Sequence, residues 1–250
     1  MKNLVLAWLF LGTLLQAEPV DSYSFLTKLN RLEQNLIGFS RHFLLLEAFP
    51  HQPIHALRLR DSYQTYERTI RQSANAFKEG NTRQILTHFV EAKDLMQNLL
   101  SDKNDSKDFS NLLQMGQKLE NEIEQITEDN TLTLGLEPEQ RILYALTQMQ
   151  VLLEEIEQEY LLDRDHTQDQ KKYEKAMLAH SASFEQLMHL CDKYAYWSAK
   201  EHTRGKRILR SWNVLKKNLG LPDRPLLIGL GVAHIQSLLM AIQAQHEEQQ

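Results

Sequence analysis

The sequence predicts an all-α protein, an up-and-down helical bundle of about eight helices, elongated or built as two stacked bundles. Three observations carry this. The 250 residues include only 9 Gly and 6 Pro, about half the usual share of roughly 12 per cent, which argues against turn-dense sandwiches and barrels. Apolar residues recur at spacings of three and four almost everywhere after residue 22. Charged residues make up 24% and hydrophobic residues 42% of the chain, as expected of a folded protein with a sizeable core.

The elements follow in order. A first helix spans about Tyr23 to Ala48, with Phe25, Leu29, Leu32, Leu36, Phe39 and Phe43 on one stripe. Pro50 and Pro53 end it, because each removes an amide donor and disfavours helix in the residue before it. A second covers Leu57 to Glu79 and stops at Gly80, a natural C-terminal cap. Asn81 or Thr82 caps a third that reaches Leu100, and Ser106 or Asp108 a fourth that reaches Glu128. After a linker from Thr131 to Gly135, Pro138 suits the first turn of a fifth helix ending near Leu162. Thr167 or Asp169 caps a sixth, running to about Lys200. The last two cover Arg204 to Leu219 and Leu226 to Gln243, separated by Gly220, Pro222 and Pro225.

The chain starts with Lys2, an apolar run from Leu4 to Leu15, and small Ala17 before Glu18-Pro19. Charged start, short apolar stretch and small exit residue are the pattern of a secretory signal peptide over residues 1–17. The expected location is a bacterial periplasm. Cys191 is the single cysteine, which excludes a disulfide framework and a Cys-rich metal site, and burial is expected for it. There is no glycine-rich phosphate loop, no Gly-x-Ser-x-Gly and no His-Glu-x-x-His. The reading is therefore non-enzymatic, with no catalytic residue, no cofactor and no metal ligand assigned. Weaker metal candidates are Glu185 with His189, one helical turn apart, and the trio His42, His51 and His55. A bundle-held haem bound by Met and His is a further minor alternative.

The halves share features. Tyr66-Glu67-Arg68 and Phe77 align with Tyr173-Glu174-Lys175 and Phe184 at a shift of 107 (66 to 173). Arg31-Leu32 and Leu36 align with Arg141-Ile142 and Leu146 at a shift of 110 (31 to 141). This divides the chain into a first helical repeat (18–130), a second (136–200) and a C-terminal pair (201–250). Gln140-Arg141-Ile142-Leu143 resembles the Gln-Arg-Met-Leu segment of the PilJ-type periplasmic sensor domain, found in type IV pilus transducers and nitrate and nitrite sensors. Tyr66-Glu67 through Phe77 and Gly80 are similar to that domain's second half. Where the family continues Ser-Gln-Arg, this chain has Tyr144-Ala145-Leu146. The resemblance implies a small-anion receptor in which Arg31 and Arg141 face each other within a bundle.

Charge is unevenly placed. From Lys118 to Asp163 there are twelve acidic and two basic residues, and from Lys193 to Lys217 eight basic and one acidic. The acidic run reads as a solvated face. In the basic run Ile208, Trp212, Leu215 and Leu219 form one stripe, with Lys206, Arg210 and Lys217 on other faces. Leu226 to Ile242 follows, 17 residues without a formal charge, in which Gly229 and Gly231 permit close helix approach. A helix apolar all round is normally covered on every side. These features predict docking through Trp197, Arg207, Arg210, Trp212, Leu215, Leu226, Leu227 and Leu230. The expected role is an accessory subunit of an envelope assembly, bound to a protein partner or to a second copy of itself. An anionic membrane surface is the alternative partner. A net charge of −5 gives no reason to expect nucleic acid.

Overall fold

The computed structural model describes residues 22–74, 77, 80–101, 106–128, 136–165, 170–194, 199–221 and 224–247. The expected signal peptide and Trp197 lie outside these residues. The described chain is all-α, with eight helices and no strand among the described residues. They are α1 (Ser22–Ala48), α2 (Pro53–Ser73), α3 (Gly80–Ser101), α4 (Ser106–Glu128), α5 (Pro138–Asp165), α6 (Gln170–Tyr194), α7 (Ala199–Leu219) and α8 (Pro225–Glu247).

Several boundaries differ from the sequence pattern. α2 starts at Pro53 rather than Leu57, with Gln52 as an extended N-cap. Proline lacks an amide hydrogen that the first helical turn would leave unpaired anyway, so its ring costs nothing there. α2 also stops at Ser73 rather than Glu79. The chain then turns Phe77 inward, where its ring lies 5.2 Å from that of Phe25 and 6.5 Å from that of Phe89. Burial of one aromatic outweighs two more turns of polar helix. Finally, α6 ends at Tyr194 and α7 already begins at Ala199.

Two hydrophobic cores run through the molecule. One is formed chiefly by α1 to α4, around Leu26, Phe39, Tyr66 and Phe89. The other is formed by α5 to α8, around Leu153, Phe184, Trp212 and Ile235. They meet where α1 packs on α5. The two helices run parallel: Asn30 accepts a hydrogen bond from Gln148 at 2.8 Å, and Arg41 bonds Glu157 at 3.0 Å further along both. α5 is the central element, packed on α1, α6 and α8 at once. Beyond its first turns its side chains therefore face protein in nearly every direction, including Glu154, Glu155, Glu157 and Glu159.

Candidate functional site

The C-terminal hairpin divides its side chains sharply. α8 turns Ile228, Val232, Ile235, Leu239 and Ile242 into the second core, all fully buried. Gly229 lies against Glu157 of α5 and Gly231 against Leu215 of α7, where an added Cβ would come within 2.8 and 2.9 Å. The opposite side of the helix is uncovered. Leu226, Leu227, Leu230 and Met240 are 54%, 43%, 70% and 59% exposed, and Ala233, Ser237 and Ala244 continue that side. Pro225–His246 has the length and composition of a membrane span, yet only 33% of its apolar window is buried.

α7 supplies the neighbouring charge. Lys206, Arg207, Arg210, Lys216 and Lys217 are all exposed, and so are Leu209 and Val214. At the hairpin tip, Tyr160 of α5 donates its hydroxyl to the Leu221 carbonyl and accepts the Arg224 amide, at 2.8 and 2.9 Å. The two ends of the α7–α8 turn are thus fixed together. This places exposed Leu221, Leu226 and Leu227 beside Lys216, Lys217 and Arg224.

Two expected docking residues prove to be core. Trp212 has no exposure and Leu215 only 3%. The indole ring of Trp212 lies 4.4 Å from that of Phe184, and its N–H donates to Glu185 at 2.8 Å. The stripe at 208, 212, 215 and 219 is the inward face of α7, because burial against α6 and α8 satisfies it without a partner. Arg207, Arg210, Leu226, Leu227 and Leu230 remain on the surface.

Arg31 and Arg141 are both exposed, and the structure does not bring them together. The α1–α5 register sets Asn30 beside Gln148, so Arg141 lies about two turns, ~12 Å, further toward the start of α5. Its Nε donates to the Leu136 carbonyl. Neither of the weaker metal candidates forms a group of three potential ligands among the described residues. Glu185 accepts from Trp212 and Lys216, which hold its carboxyl below the usual range. The His42 and His55 rings lie 6.3 Å apart. His42 Nε2 is within hydrogen-bond distance of Arg41, and His55 of Gln52.

The acidic run is a solvated face only in part: Glu124, Glu137 and Glu139 are exposed, whereas Glu154, Glu155, Glu157 and Glu159 of α5 are not. Glu157 is buried against Arg41, and Glu154 accepts from Gln236 of α8. Glu155 and Glu159, one turn apart on α5, flank His180 of α6 together with Glu120 of α4 and Glu33 of α1, around a cavity of about 90 Å³. His180 Nδ1 lies 3.2 Å from Glu159 and 3.7 Å from Glu155, while Nε2 lies 3.4 Å from Glu120. Burial opposes the imidazolium, but the surrounding carboxylates overcome it and raise His180 to about 11. Burial lifts Glu155 to about 8, and raises Glu33 well above the carboxylate range.

Comparison with family models, curated proteins and solved structures gives no match. The site is therefore read from its own chemistry. The sequence did carry one sign of the cluster: between Gln150 and Asp163 four glutamates stand without a single Lys or Arg to pair with along the helix.

Proposed function

We propose that the protein is an exported, non-enzymatic helical bundle that acts by binding, docking its α7–α8 hairpin on an anionic membrane surface of the bacterial envelope. The observation that carries this reading is the uncovered apolar side of α8, led by Leu230 at 70% exposure. A soluble helix rarely leaves a contiguous apolar strip open unless something covers it. Charge selects the partner: the neighbouring surface of α7 offers Lys206, Arg207, Arg210 and Lys217 besides Lys216, which pairs with Glu185, and its single acid, Glu201, is buried. Apolar side chains flanked by Lys and Arg suit a lipid headgroup boundary, with the apolar groups entering and the cations meeting phosphate. α8 rests on the surface rather than spanning it, because its other face is committed to the core.

Sedimentation of residues 18–250 with lipid vesicles tests this. The protein is expected to bind phosphatidylglycerol-containing vesicles, release in high salt, and ignore pure phosphatidylcholine. The triple variant L226D, L227D, L230D should stay folded and lose binding. Wild-type protein that ignores anionic vesicles overturns the reading. In that case, native-envelope crosslinks lost on the same substitutions would identify a protein groove as the true partner.

A further inference from the structure

We propose that the cluster of Glu33, Glu120, Glu155, Glu159 and His180 is a binding site for one divalent first-row transition-metal ion of the manganese, iron or zinc class. This site is independent of the docking face: it lies between α1, α4, α5 and α6, whereas docking uses α7 and α8.

Charge balance is the first argument. Four carboxyl groups converge on one imidazole, and the imidazolium neutralises only one of them. Burying unpaired carboxylates is costly, so such a cluster holds either protons or a cation. Glu33 points the same way. Glu33 is only 7% exposed and lines the cavity, yet makes no hydrogen bond or ion pair among the described residues. Glu159 Oε2 and His180 Nδ1 are fully buried and form an ion pair at 3.2 Å within the cluster. Buried polar atoms are nearly always paired. The Glu33 carboxyl, at the cavity wall without such a partner, departs from this.

Geometry provides the third argument. Ligand atoms of Glu120, Glu155 and His180 all lie within 4.8 Å of one another. Oxygen and nitrogen donors at about 2.1 Å from a metal sit about 3.0–3.4 Å apart in octahedral or tetrahedral arrangements. The separations of 3.2 and 3.7 Å on the Nδ1 side need only small side-chain adjustment. A cavity of about 90 Å³ also leaves room for an ion and one or two waters. Glu120, Glu155 and His180 form the core of the shell, with Glu159 3.2 Å from His180 Nδ1. Glu33 faces it from α1. Mostly carboxylate donors with one imidazole suit hard-to-borderline dications rather than copper(I) or other soft ions.

The test uses the full mature chain, purified through chelator, with Mn²⁺ alone as ligand and the free-ion resonance signal as readout. One Mn²⁺ per chain should bind and be displaced by Zn²⁺. The isosteric double variant Glu155→Gln, Glu159→Gln should weaken binding at least a hundredfold while keeping full helicity. Glu120→Gln should weaken it about 10–100-fold, and exposed Glu124→Gln should leave it unchanged. Wild-type protein that leaves both ions free overturns the proposal, as does a folded double variant that binds as tightly as wild type. Should the double variant lose helicity, Glu159→Gln alone decides by the same criterion.

Discussion

The hydroxyl of Tyr160, near the C-terminal end of the chain's central helix, donates to the carbonyl of Leu221 at 2.8 Å. The same oxygen accepts the amide of Arg224 at 2.9 Å. One phenol thus closes the turn that presents the apolar tip. Tyr160→Phe deletes both bonds and leaves the ring packed. The expected cost is about 1–3 kcal/mol in urea unfolding, with helicity retained. Vesicle binding should also weaken, because the tip residues lose their fixed spacing.

Arg207→Glu with Arg210→Glu reverses charge on the exposed side of α7 and leaves the buried Ile208–Trp212 contacts intact. Binding to anionic vesicles should fall and its salt dependence flatten, with an unchanged melting temperature. Unaltered binding would show that the basic run is an ordinary solvated face.

Trp212 and Leu230 provide a direct contrast between core and surface. Trp212→Ala removes a fully buried indole stacked near Phe184 and should cost about 3–5 kcal/mol. Leu230→Ala, at 70% exposure, should change stability by less than about 0.5 kcal/mol. Denaturant titration of both variants checks the assignment. Comparable losses would mean that α8 is covered on both sides.

Gly231→Ala should destabilise by about 1–3 kcal/mol. The new methyl would sit 2.9 Å from Cδ1 of Leu215, and Leu215 is 3% exposed with little room to shift. Gly205→Ala, where an added Cβ meets nothing within 4 Å, is the matched control and should be neutral or stabilising.

His42 gives the fold a dependence on acid. Burial, then the nearby Arg41, Arg58 and His55, depress its pKa from 6.5 to about 3. The folded state therefore prefers neutral imidazole. Above the unfolded value both states are neutral and nothing is lost. As pH falls from about 6.5 toward 3 the unfolded chain takes up the proton first, and stability drops. His42→Gln should flatten this slope in the difference between variant and wild-type stability curves. An identical slope would show that other groups set the acid limit.

The family resemblance and the docking stripe show how far local sequence carries the site. Arg31 and Arg141 match in pattern at a shift of 110, but the helices bearing them pair at shifts of 118 and 116. The two arginines are thereby displaced from one another. Trp212 and Leu215 sit on a stripe whose periodicity is identical for a core helix and a docking helix. Only the neighbours of α7 distinguish the two.

Taken alone, the sequence determined the helical class, the number of helices and most of their ends. These follow from apolar spacing and from Pro and Gly, which act within a few residues along the chain. Tertiary structure decided which faces are covered. α5 is packed on three sides, so glutamates that would be solvated on an outer helix are gathered inside, around His180. α8 is packed on one side only, so part of an all-apolar helix stays open to solvent. Burial is a property of what lies across from a residue, and that is set by contacts between positions far apart in the chain.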